Sequence, residues 1–305
     1  MAIPSSGAIS FDTIQTEFGG SNPIGLDEYY AGGSYVASGI SGTNGAVPSS
    51  GAISMNQFFG TTAPPAVGQQ VFTGDSGSYT WVAPARVTKV SIVAVGRGGV
   101  GSGGAGGGLG YKNNVTVVPG TSYTVSVGTP SSFGGAVGNS PSPYYTGGSY
   151  SGDGGGNGGG GNGGGGGAGG YSGDGGNGRS SQAGLAGSGG GGGGGHRVSG
   201  SYGQAGGGGG VGILGQGTSG AGSTFPCESQ SFGRGGSGGS NGGAPVYRDL
   251  GCCTIWYNGG SGGSYGGGAA GGTGGGNNGA AGTGAVRIIW PGCARSFPST
   301  RTANE

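Results

Sequence analysis

The sequence predicts a mainly β and irregular protein: a small β-sandwich-like frame enclosing a bundle of polyproline II-type helices built from glycine, behind short N-terminal repeats. Three observations carry that expectation. Ninety-five of the 305 residues are glycine, gathered in tracts. Apolar β-type runs precede the tracts, and one more run follows them near the C-terminus. The islands between tracts hold aromatic, polar and cysteine residues. Fixing the tracts would cost on the order of 100–200 kcal/mol of backbone entropy, with no side chains to offset it. Either they are disordered, or glycine is there because a missing Cβ lets backbones approach and hydrogen-bond one another.

The composition narrows the choice. Runs such as Gly158 to Gly161 and Gly189 to Gly195 break a G-X-Y period, which excludes collagen. Disordered chains carry few aromatics and much net charge. Here charged residues make up 7%, the formal net charge is +1, and 14 tyrosines, nine phenylalanines and three tryptophans are spread along the chain. The arginines form no stripe, so no nucleic-acid partner is expected. No window approaches the ~18–20 apolar residues of a membrane span. Met1 to Ser6 has neither a basic start nor an apolar segment, so no secretory signal is expected.

Residues 1–62 are read as a repeat and attachment segment. Pro4-Ser5-Ser6-Gly7-Ala8-Ile9-Ser10 recurs as Pro48-Ser49-Ser50-Gly51-Ala52-Ile53-Ser54, with a looser copy from Pro23 to Tyr30. Ser10 is placed to cap a helix with Phe11, Ile14 and Phe18 on one face. Ser54 leads into Met55, Phe58 and Phe59, while the looser copy supplies Ile24, Leu26, Tyr29 and Tyr30. Units this short are expected to cover their aromatic faces against neighbours or partner chains, which makes these residues and Ile9 and Ile53 attachment candidates. The alternative is a self-contained N-terminal cap.

Residues 63–70, with Pro64-Pro65, read as a linker, and 71–133 as the β-rich frame. Strands are expected at Val71-Phe72, Tyr79 to Val82 and Val87 to Val95, and a hairpin of Asn114 to Val118 with Ser122 to Val127 around Pro119-Gly120. The next strand, Ala285 to Trp290, opens the closing segment 285–305, so the sheet would frame residues 134–284 as an insertion. Within it Tyr150-Ser151-Gly152-Asp153-Gly154-Gly155 recurs 21 residues later at Tyr171, a multiple of three. A polyproline II-type helix has three residues per turn and no internal hydrogen bonds, leaving every N–H and C=O to neighbours.

Chemical motifs are sparse. Gly96-Arg97-Gly98-Gly99-Val100-Gly101 satisfies G-x-G-x-x-G, but helix-breaking sequence follows and no acid stands about 20 residues on, so no dinucleotide is expected. His196 is the single histidine and reads as a surface residue. Asp153 and Asp174 give no defined carboxylate pair, and the glycine-rich turn at Asp174 lacks the strand hydrophobe of a calcium repeat. No cofactor is expected. Cys227, Cys252, Cys253 and Cys293 lack zinc-ligand spacing; Cys227 and Cys293 are the natural disulfide partners, and free structural thiols are the other reading.

The islands concentrate contact-forming residues: Tyr144 and Tyr145; Phe225, Glu228 and Phe232; Tyr247, Arg248 and Asp249; Trp256 and Tyr257. Tyr, Trp and Arg give large contact area with polar handles. Plugging the ends of a bundle is their structural alternative.

The run from Phe72 through Trp81-Val82-Ala83-Pro84, Val90 to Gly96 and Val118 to Gly128, closed by Gly284 to Pro291, resembles the glycine-rich domain of phage tail-fibre and virion proteins. Ser50-Gly51-Ala52-Ile53-Ser54-Met55-Asn56-Gln57-Phe58-Phe59-Gly60 and the tail Arg295 to Thr300 look like the ends of fibre-like proteins in phages of marine cyanobacteria. The resemblance implies a polyglycine II bundle whose loops meet a host receptor, a glycan or outer-membrane protein, and an N-terminal part joined to other virion proteins. It implies location on the virion and a non-enzymatic role, as adhesin or as a head, collar or tail decoration without receptor contact. Fibres of this kind are single chains or trimers.

Overall fold

The computed structural model describes residues 2–142, 145–198, 203–224, 231–249 and 255–298, and the chain divides into two compact units, Met1–Ala66 and Val67–Glu305. The division falls inside the expected linker. The linker is shorter than expected, because a strand begins at Gly68.

In the first unit Ser10 caps α1 (Phe11–Phe18), its side chain accepting from Thr13 N. A 3-10 turn at Leu26–Tyr29 follows, then the two-residue strands β1 (Ser41–Gly42) and β2 (Gly45–Ala46), and a second 3-10 turn at Met55–Phe58. Gln57 accepts from Ser54 N, so both copies of the repeat start a helical turn at their serine. Ile3, Ile14, Phe18, Tyr29, Val36, Val47, Phe58 and Ala63 form one buried cluster, with Ile9, Ile24, Leu26, Ile53 and Met55 packed against it. Phe18 and Tyr29 both meet Phe58 edge-on, at 6.0 and 6.2 Å between ring centres. Of the two expected covers for the repeats' aromatic faces, neighbours or partner chains, neighbours supply the one seen for Phe18, Tyr29 and Phe58: each unit is too short alone, but together they enclose a core. The buried Glu17 carboxylate accepts from Ala63 N at 2.8 Å and ties the helix to the end of the unit. Phe11, expected on the inner face, is exposed instead.

The second unit opens with β3 (Gly68–Gly74), β4 (Gly77–Val82), β5 (Lys89–Val95), β6 (Leu109–Thr116), β7 (Ser122–Val127), β8 (Ser131–Phe133) and β9 (Ala136–Gly138). Five short strands lie among the glycine tracts: β10 (Tyr150–Ser151), β11 (Gly154–Gly156), β12 (Arg179–Ser180), β13 (His196–Arg197) and β14 (Val246–Asp249). The last two are β15 (Ile255–Asn258) and β16 (Gly284–Trp290). Two five-stranded antiparallel sheets result, in the orders β11-β6-β5-β16-β3 and β10-β9-β8-β7-β4. The late strand β16 lies between β5 and β3, so the sheet does frame the intervening residues. The expected hairpin at Pro119-Gly120 does not form: β6 pairs with β5 in one sheet and β7 with β4 in the other, so the turn passes the chain between sheets.

Strand period explains the cores. On β5 and β16, Val90, Ile92, Ala94, Val286 and Ile288 point into a cluster shared with Trp81, Val125, Val127 and Phe133 of the other sheet. The alternate residues Val93, Val95, Ala285 and Ile289 join Ala168, Tyr171, Val211 and Ile213 from the glycine region in a second cluster. Both strands are thus covered on two faces, which is why they read as continuous apolar runs rather than alternating ones.

The glycine tracts are ordered by their own backbones. In the tract 165–170, Gly165 and Ala168 donate to Gly206 and Gly209, Gly166 and Gly169 to Gly104 and Gly107, and Gly167 and Gly170 to Gly176 and Gly173. Each set of donors recurs every third residue and serves a different neighbour. The tract 206–211 repeats the pattern, Gly206 and Gly209 donating to His196 and Gly193, Gly207 and Gly210 to Gly243 and Ser240, and Gly208 and Val211 to Gly268 and Tyr265. Neighbours approach too closely for side chains. A Cβ on Gly167 would lie 2.0 Å from Gly192 O, and one on Gly161 would lie 1.9 Å from Gly103 O. At the margins amide and carboxylate oxygens take the place of a neighbouring carbonyl: Asp174 accepts from Asn157 N, Asn177 from Gly160 N, and Asn241 from Gly235 N.

Candidate functional site

The islands expected to make contacts are brought together in part. β14 and β15 pair antiparallel, with Tyr247 opposite Tyr257, Arg248 opposite Trp256 and Asp249 opposite Ile255, so two islands separated in sequence become one hairpin. Tyr257 is bonded through its backbone to Thr273 in a glycine tract, which fixes the hairpin's base. Phe232 lies elsewhere, half-buried, with the Arg234 guanidinium 5.0 Å over its ring. Tyr144, Phe225, Glu228, Cys227, Cys252 and Cys253 fall outside the described residues. Cys293 is exposed as a free thiol; the pairing expected between it and Cys227 involves a residue outside the described ones.

Tyr145 is exposed and forms one wall of a cleft of about 420 Å³ lined also by Ser102, Gly161, Asn162, Gly163, Ser180 and Arg197. Five separate segments build it. Gly161 N donates to Tyr145 O at 2.9 Å, which fastens the aromatic island to the tract beneath it. The parallel pair β12 and β13 sets Ser180 opposite Arg197, and Ser181 N donates to Arg197 O at 2.7 Å. Gly163 forms the floor in a left-handed conformation, φ 76°, and a Cβ there would meet Arg197 Cβ at 3.0 Å and Cδ at 3.2 Å. Glycine therefore lets the aliphatic stem of Arg197 lie across the floor. Among the described residues no carboxylate lines the cleft. Of these residues the sequence reading singled out only Tyr145; Arg197 carried one signal, its place in an island between two tracts.

His196, expected at the surface, is fully buried, and burial lowers its imidazole from the ordinary value. Its backbone is the cause: His196 N donates to Ser231 O and its carbonyl accepts from Gly206 N, so it lies inside the bonded array. Gly96 to Gly101 follows a strand but opens no helix; Gly98 N donates to Gly282 O, and Arg97 is ion-paired to Asp75 at 3.0 Å. Among the described residues no group of three His, Cys, Asp or Glu side chains is arranged to hold a metal ion. The two copies of the Tyr-Ser-Gly-Asp repeat differ in setting, Tyr150 being exposed and Tyr171 fully buried, although each aspartate accepts a backbone N–H, Asp153 from Asn113 and Asp174 from Asn157.

A second polar constellation lies beneath the sheet. Arg287 is completely buried; its Nε and one terminal nitrogen donate to Gln69 Oε1 and the other nitrogen to Ile213 O. Burial lowers its affinity for the proton, Tyr171 opposes that shift and Arg295 adds to it. Tyr171 donates to Gly212 O and accepts from Gly215 N, and burial holds its phenol far above the usual range. Phe297 stacks on Tyr171 at 5.8 Å and seals this region from solvent. The arrangement holds sheet, tracts and C-terminal segment together.

No helix among the described residues is long and apolar enough to cross a membrane. No family model, curated protein or solved structure matches the chain.

Proposed function

We propose that this chain is a non-enzymatic fibre or adhesin of a phage virion, in which the glycine tracts are polyglycine II helices bundled on a β frame and the islands between them meet the host surface. The observation that carries the reading is the lateral hydrogen bonding that recurs every third residue. It matches a helix of three residues per turn whose backbone groups all point outward to neighbours. Such a body draws its rigidity from neutral amides rather than from charge, which suits a particle exposed to changing salt. The hairpin β14–β15 and the cleft at Tyr145 are the surfaces offered to a host glycan or outer-membrane protein.

In this reading the first unit attaches to other virion proteins. Ile14, Phe18, Tyr29 and Phe58 hold its own core, which leaves the exposed Phe11 and the half-buried Ile9, Ile24, Leu26, Tyr30, Ile53, Met55 and Phe59 to line the contact. Antibody raised against the purified chain should decorate virions in electron micrographs, and the chain in excess should slow phage adsorption. Decoration without any effect on adsorption would assign the protein to the particle's fixed structure, and bare particles would sink the proposal.

A further inference from the structure

Resting on the adhesin reading, we propose that the cleft at Tyr145 binds a saccharide carrying one negative charge. Three features select that chemistry. Arg197 meets no carboxylate among the described residues, and its stem lies beside Gly163, which puts a planar cationic fork at the cleft for an anion to pair with. A single cation suits a monoanion; a free phosphate would call for several convergent donors. Tyr145 offers an exposed ring on the adjoining wall, a surface for the C–H face of a pyranose. Ser102, Asn162 and Ser180 stand around the rim with side chains that both donate and accept, as sugar hydroxyls require. The volume of about 420 Å³ lies within the range of small-molecule sites. Carboxylated and sulfated sugars share this chemistry.

The test titrates the full chain with three disaccharides of one backbone: ending in glucuronate, in glucose 6-sulfate, and in neutral glucose. At low salt at least one anionic probe should bind about tenfold tighter than the neutral one, and the margin should shrink as salt rises. Which anion prevails separates a carboxylated from a sulfated source. Arg197→Gln should bring anionic and neutral probes to within about twofold, while Tyr145→Ala should weaken all three by about tenfold. Ser102→Trp, on a different segment, should block every probe while leaving the melting temperature in place. Equal binding of charged and neutral probes overturns the proposal, as does charge preference that survives both Arg197→Gln and Ser102→Trp. Virions decorated by antibody but no charge preference would remove this site and leave the adhesin reading standing; charge preference with undecorated virions would do the reverse.

Discussion

At the scale of single residues, glycine acts here through the space it leaves rather than through flexibility. Gly167→Ala places a methyl 2.0 Å from Gly192 O, and a backbone carbonyl in a bonded array has nowhere to go, so the cost should be about 3 kcal/mol or more. Gly101→Ala meets nothing within 4 Å and should cost only the about 1–2 kcal/mol of a left-handed conformation. Denaturant midpoints of the two variants check the contrast. Arg287 gives a second residue-level case. Gln69→Leu removes the oxygen that receives two N–H groups of the fully buried Arg287, through part-buried bonds, and should cost about 2–3 kcal/mol, whereas Gln69→Leu with Arg287→Met removes both partners and should recover most of it in a double-mutant cycle. His196 adds a pH dependence. Its pKa is lowered on folding, so the unfolded chain binds the proton more readily; stability is intact above the ordinary value near 6.5 and falls as pH drops through it toward the folded value. Melting curves between pH 7.5 and 5 should show that fall, and His196→Gln should flatten it.

At the scale of elements, Asn113 fastens the C-terminal segment. Its amide nitrogen donates to Phe297 O and its amide oxygen accepts from Phe297 N, each at 2.8 Å, while the Phe297 ring stacks on Tyr171 and lies tilted against Tyr111. Asn113→Ala removes two partly buried bonds, so it should cost about 2 kcal/mol and speed tryptic cleavage after Arg295, read by release of the terminal peptide. Nothing local in the sequence points to this clamp, since it joins positions 184 residues apart. Strand existence was legible: β5, β7 and β16 fall where β-branched runs stand. Strand pairing was not. Pro119-Gly120 carries turn chemistry whether its flanking strands pair or part, and the choice was made by the two-sided burial of β5 and β16, a property of the whole frame. The Ser10 cap was legible because capping is local, but the burial of Tyr29 and Phe58 together depends on how three short pieces meet. The candidate site divides the same way: Tyr145 stood out as an aromatic in an island, while Arg197 joined it only through the register of β12 and β13.

At the scale of the second unit, backbone bonds join tracts from Gly98 through Gly282, crossing between segments far apart in the chain. A network of this kind has no loose end at which to fray, so it should open as one cooperative body with the sheet it covers. Hydrogen exchange gives the measurement. Amides at 165–170 and 206–211 should be slowed about 10³-fold or more relative to free peptide and should share one opening free energy with β5 and β16. Exchange of those glycines at peptide rates, with the strands still protected, would return the tracts to the status of flexible linker. The same network sets a salt response. Only 7% of residues are charged and the tract contacts are neutral amides, so the melting temperature should change little between about 0.05 and about 1 M sodium chloride. Binding at Arg197 should weaken over that range. A platform indifferent to salt that carries a ligand contact sensitive to it would separate rigidity from recognition in one titration, and a parallel loss of both would mean that charge, rather than the amide network, holds the tracts in place.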